Sequence, residues 1–120
     1  VKYLLMIYFN PTTWEALSED ERQDVFRGHE EFMKIIKESG EMIRTEALAD
    51  PSLSAVVRVR DGVPAVTDGP FVEAKEYLAG YYLVDCDSRE RAVELAGMIP
   101  DARFSAMEVR QVIFQDGVPA

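Results

Sequence analysis

At 120 residues and 13.6 kDa the chain has room for one domain core and not two, because each half of a divided chain would sit near the size at which burial barely offsets chain entropy. A hydrophobic content of 48% beside 29% charged residues is that of a folded globular protein and excludes general disorder. Thirteen Lys and Arg against 22 Asp and Glu leave a net charge of −9, which repels nucleic-acid phosphates and anionic lipid and argues against either as a partner.

The first element is the run KYLLMIYF at 2–9, dense in aromatic and branched residues and closed by Asn10-Pro11, which predicts a central strand buried on both faces. Ser18 and Glu21 then have the capping-box spacing, so a helix starts there. Val25, Phe26, His29, Phe32, Met33 and Ile36 recur at steps of three and four and form its apolar stripe, and Gly40 ends it. A second strand is predicted over 41–48, stopped by Asp50-Pro51. Residues 55–60 alternate as a strand, Asp61-Gly62 suits a type I′ turn, and 63–67 returns beside it as an edge strand, because Pro64 lacks a ladder donor. Asp68-Gly69-Pro70-Phe71 makes a tight turn before a strand at 78–86. Ser88 caps a second helix over 89–98, stopped by Pro100, and the last strand spans 103–114, with a loose tail at 115–120.

This order, β-α-β, an inserted hairpin, then β-α-β, predicts one α+β domain of the ferredoxin-like βαββαβ kind. Right-handed crossovers place both helices on one face of an antiparallel sheet. The strands at 2–9 and 78–86 are apolar on both sides, so a single chain would expose one sheet face, and a face-to-face homodimer is expected to cover it. Apolar runs of a few residues are far below the ~20 needed to cross a bilayer, and no leader is recognisable. The expectation is a soluble cytoplasmic protein with no membrane contact. A single cysteine, Cys86, excludes an internal disulfide, and one histidine without a cysteine cluster matches no usual zinc spacing, so no metal is expected. No glycine-rich phosphate loop follows the first strand, which argues against a nucleotide.

His29 is the foremost candidate for chemistry. It interrupts an apolar stripe, where partial desolvation favours a neutral imidazole able to act as a base. A core histidine making only a structural hydrogen bond fits the same pattern. Asp68, on the rigid turn, is the candidate carboxylate to orient the ring, with Phe71 walling the cleft. Lys75 could meet a carboxylated substrate, and Tyr8 and Tyr82, on central strands, could donate a phenol to a substrate oxygen. Arg58 and Arg60 read as ion-paired surface groups, and Cys86, beside Asp85 and Asp87, reads as a poor nucleophile.

The segment DGPFVEAKEYLAGYYLVD at 68–85, with the opening KYLLMIY strand, His29 eleven residues before Gly40, VRVRDG and MEVRQV, resembles the DGPF branch of the YCII-related family along the whole chain. The resemblance implies a dimeric α+β barrel, the fold of muconolactone isomerases. It also implies a histidine on the first helix paired with an aspartate just before a proline after the second, and chemistry such as the dehydrochlorination of chlorinated hydroxyquinols. His29 matches the first member. Ile99 stands where the aspartate belongs, before Pro100, so the carboxylate must come from Asp68 or Asp101. Genes of this branch neighbour alternative sigma factors in bacteria, which implies a regulatory alternative.

Two functions follow as expectations. The first is a cofactor-free acid–base enzyme, an isomerase, lyase or dehydrochlorinase, acting on a small oxygenated or aromatic compound in a pocket at the dimer cleft, with His29 and Asp68 catalytic and Tyr8, Phe71, Lys75 and Tyr82 binding substrate. The alternative is a non-catalytic module that binds a small molecule or serves a sigma factor.

Overall fold

In the computed structural model, which describes residues 1–118, the run KYLLMIYF forms strand β1 (Lys2–Phe9). The remaining strands are β2 (Met42–Ala47), β3 (Ala55–Arg60), β4 (Val63–Asp68), β5 (Tyr77–Asp85) and β6 (Met107–Gln111), and the helices are α1 (Pro11–Glu15), α2 (Glu19–Glu38) and α3 (Arg89–Met98). Strands β2, β5, β1 and β6 lie in that order in one antiparallel sheet, while β3 and β4 pair only with each other. Tyr3, Leu5, Ile7, Tyr82 and Val84 share one core with Phe32 and Ile36 of α2 and Ala92, Leu95 and Ala96 of α3. Both helices therefore cover the same sheet face, the ferredoxin-like arrangement that the element order predicts.

Local chemistry sets the boundaries of α2. Ser18 Oγ accepts from the Glu21 amide at 3.1 Å while Glu21 Oε1 accepts from the Ser18 amide at 2.9 Å, so the predicted capping box is complete. At the other end Gly40 has φ +79°, and the amides of Gly40 and Glu41 turn back to the carbonyls of Lys37 and Ile36, satisfying orphan acceptors of the last turn. Asp61 (φ 51°) and Gly62 (φ 76°) form the left-handed turn expected of the hairpin.

Four features differ from the sequence expectations. Helix α1 was not expected: Asn10 does more than end β1, because its side chain accepts from the amides of Thr12 and Thr13 and Pro11 supplies the first helical position. The last strand is shorter than 103–114: Pro100 starts a 3₁₀ turn (Pro100–Arg103) whose Asp101 carbonyl accepts from the amides of Phe104 and Ser105, which delays β6 to Met107, and the strand ends at Gln111. Phe26, assigned to the apolar stripe, is 53% exposed. The sheet face away from the helices is less open than expected, since Met6 and Leu83 at its centre are only 6% and 3% exposed within a single chain. Residues 119 and 120, the end of the tail expected to be loose, lie outside the described residues.

The hairpin β3–β4 is an arm. All of its residues except Val56 are exposed, and the radius of gyration is 16.5 Å. A compact chain of this length would have ~14 Å.

Candidate functional site

His29 sits on the inward face of α2 with both ring nitrogens engaged: Nδ1 is 2.8 Å from Tyr82 Oη, and Nε2 is 2.5 Å from Asp101 Oδ1. Three parts of the fold bring these groups together. Tyr82 reaches from the helix-covered side of β5, where Phe32 packs edge-on against its ring at 4.9 Å. Asp101 comes from the turn after α3 and is, at 8% exposure, the buried charged residue among those described. That turn lies against α2 where Gly28 precedes His29, and a Cβ on Gly28 would stand 2.4 Å from Pro100 Cγ, a distance no real pair tolerates. Gly28 therefore lets Pro100 settle on the helix, and the residue after Pro100 then meets the residue after Gly28.

Burial settles the phenol proton, and the two contacts of the ring settle which tautomer a neutral imidazole takes. Burial, reinforced by the negative charge of Asp101 and opposed by Thr45, pushes the Tyr82 phenol up to about 12, so its hydroxyl stays protonated at neutral pH and is available to donate to Nδ1. A neutral imidazole accepting that bond carries its own proton on Nε2, facing the Asp101 carboxyl. If Nδ1 gains a proton, it donates to Tyr82 Oη instead and the phenol proton turns away. The three groups form a chain in which both ring nitrogens keep a hydrogen-bond partner in either proton arrangement.

They stand in the wall of a cavity of about 560 Å³ between α2 and the sheet. Phe9, Trp14, Val25, Phe26 and Met33 make it apolar, and Thr45 and Glu46 add polar groups at the β2 edge. Phe9, Trp14 and Phe26 meet in sequence, with ring centroids 5.8 Å apart at both steps. Gly80 is needed in this wall, because a Cβ there would lie 2.7 Å from the Glu46 carbonyl and push β2 off β5.

Of the residues expected at the site, His29 and Tyr82 are together in this cavity. The carboxylate on His29 is Asp101, not Asp68, which ends β4 opposite Ala55 on the exposed arm. Tyr8 is half-buried opposite Leu78 where the β1–β5 register shifts. Phe71 is exposed, with the Arg58 guanidinium over its ring at 5.2 Å, and Lys75 is exposed between the arm and β5. None of these four lines the cavity, which lies on the helix-covered side of the sheet within one chain. Trp14 escaped the sequence reading because α1 did, although Asn10-Pro11 is the signal that would have found it. Among the described residues no three His, Cys, Asp or Glu side chains converge as metal ligands, and no helix is long and apolar enough to cross a membrane.

Comparison with known proteins identifies the family. Residues 1–114 match the model of the YCII-related domain. The chain is also 32% identical over 110 residues to an uncharacterised protein of Rhizobium meliloti (strain 1021), an alignment covering 90% of this chain and 89% of that one. With the family model spanning nearly all of its length, the chain belongs to the YCII-related family.

Proposed function

We propose that the protein is a cofactor-free acid–base catalyst of the isomerase, lyase or dehydrochlorinase kind, acting on a small oxygenated or aromatic compound held in the apolar cavity. The observation that carries this reading is the imidazole of His29 bridging Asp101 and Tyr82 at the cavity wall. Both ring nitrogens are occupied, so the group that meets substrate is the Tyr82 hydroxyl. A substrate C–H or O–H bond breaks as its proton passes to Tyr82 Oη, the phenol proton moves to Nδ1, and the imidazolium is held by Asp101 through Nε2. Running the chain backwards delivers the proton to a second position on the substrate or to its leaving group. The cavity walls are largely apolar, and the low local polarity strengthens each of these interactions.

We also read the chain as a homodimer joined through the open sheet face, and Asp68-Gly69-Pro70-Phe71 as the mark of the DGPF branch. Across the sheet face, Arg44, Leu83, Leu4 and Arg110 form one row and Glu46, Tyr81, Met6 and Glu108 the next. A two-fold axis running between the rows sets the arginines of one copy against the glutamates of the other.

The test is deuterium incorporation from D₂O into a panel of enolisable aryl ketones, followed by proton NMR. Wild-type protein is expected to exchange at least one of them, and His29→Gln and Tyr82→Phe to slow that exchange by about 10²-fold or more. Exchange unaltered by His29→Gln refutes the proposal. Uptake of an aryl ketone with no exchange would favour binding without turnover.

A further inference from the structure

Charge narrows what the cavity can take. Among the described residues that line it none is Lys or Arg, although the chain has thirteen of them. The cationic side chains on the surrounding elements stand outside it. Arg22, one turn before Phe26 on α2, holds its guanidinium 5.6 Å from the Trp14 ring centroid and donates through Nε and Nη2 to the carbonyls of Trp14 and Glu15, each at 3.3 Å. Arg44 precedes Thr45 in β2, so strand alternation turns it to the open sheet face, where its Nε is 3.3 Å from Glu46 Oε1. Lys37, one turn beyond Met33, and Arg103, two residues after Asp101, are exposed.

The charge that the wall does carry is negative or balanced. Asp101 is buried in it, and a protonated His29 would be cancelled by that carboxylate 2.5 Å away. Tyr82 and Thr45 contribute only neutral hydroxyls. An anion entering here would give up water for apolar surface and meet the field of Asp101 with no cation to receive it, and a buried carboxylate so placed takes up a proton instead. The net charge of −9 adds to the repulsion. We propose that the cavity binds aromatic compounds free of carboxylate, phosphate or sulfate groups, and that an aryl acid enters it only in its protonated form. This inference rests on the reading of the cavity as the substrate site and specifies what enters it. It does not use the proton chemistry proposed there.

The test is isothermal titration calorimetry of the full chain, direct and by displacement, with methyl 2-naphthyl ketone, 2-naphthamide and 2-naphthoate. These probes share one ring system and differ in charge, and a cavity of about 560 Å³ is of the size that takes such molecules. A carboxyl that ionises near pH 4 is protonated to about one part in 10³ at pH 7. At pH 7.5, 2-naphthoate is therefore expected to bind about a hundredfold or more weaker than either neutral probe. Its affinity should rise about tenfold per pH unit as pH falls from ~7.5 to ~6.0, while that of the amide stays constant. The slope should persist in His29→Gln, because the imidazolium is not what receives the acid. Met33→Lys puts a cation in the wall and should tighten 2-naphthoate by about tenfold or more and flatten its slope. Circular dichroism checks that each variant folds, and the wild-type comparison decides without them. Wild-type protein that binds 2-naphthoate as tightly as the ketone at pH 7.5, a slope lost in folded His29→Gln, no gain in folded Met33→Lys, or no uptake of any probe would each overturn the proposal. Charge-selective uptake without deuterium exchange would leave it standing while the catalytic reading fails, and exchange beside unselective uptake would do the reverse.

Discussion

Gly28→Ala is the smallest change that should dismantle the site without touching any of its three polar groups. The added Cβ would stand 2.4 Å from Pro100 Cγ, against the ~3.5–4.0 Å of an ordinary carbon contact. A proline ring has no rotamer by which to retreat, so the turn must move away from α2 by about 1 Å or more. Asp101 follows Pro100 directly, and its 2.5 Å approach to His29 Nε2 would lengthen to about 3.5 Å, beyond hydrogen-bonding range. Overpacking of this kind costs about 1–3 kcal/mol, which lowers Tm by roughly 5–15 °C in a domain of this size. Gly97 supplies the control. It lies within α3 with nothing within 4 Å of a Cβ added there, so Gly97→Ala should stabilise by about 0.5–1 kcal/mol through helix propensity alone. Thermal melts give the first readout, and long-range ¹H–¹⁵N correlation spectra of the His29 ring give the second. Wild-type Tm and unchanged His29 nitrogen shifts in Gly28→Ala would refute the account of how Asp101 is placed.

Asp68→Asn should leave the His29 ring shifts unchanged while Asp101→Asn moves them, and the same spectra decide between the two carboxylates. Glu41 receives two hydrogen bonds of 2.9 Å from Arg91, which hold its carboxyl below the ordinary carboxylate range and tie the start of β2 to α3. A carboxyl depressed in the folded state stabilises above its unfolded value of ~4.3 and loses that contribution as pH falls through the folded value. Glu41→Gln should therefore cost about 1–2 kcal/mol in urea unfolding at neutral pH, and the gap from wild type should close below about pH 4. A gap that is constant with pH would show that the ion pair contributes nothing specific.

What the sequence discloses about this protein is what neighbouring residues decide among themselves. Ser18 with Glu21 marks one end of α2 and Gly40 the other, Asp61-Gly62 sets the hairpin turn, and the alternation in KYLLMIYF sets β1, each within a few residues. The inward direction of His29 follows from the same local period. The stripe that carried it nevertheless misplaced Phe26, because a helix beside a cavity leaves part of its apolar face on the rim, and periodicity reports the face without saying what fills it.

The identity of the carboxylate beside His29 depends instead on a contact 72 residues long in sequence. Asp68 and Asp101 are equally plausible acids when judged by type, and a rigid turn around Gly69-Pro70 favours the first. The decision is steric: Gly28 removes a side chain where the ring of Pro100 needs to rest, and the register of that contact carries Asp101 to the imidazole even though Ile99 occupies the position the family resemblance assigns to the acid. Because the proline is followed, not preceded, by the aspartate, the turn and not the helix end supplies the charge. The 3₁₀ geometry of residues 100–103 then becomes part of the site and takes the residues that a longer last strand would have used. One local choice of turn thus accounts both for the late start of β6 and for the hydrogen-bonded chain running from Asp101 through His29 to Tyr82.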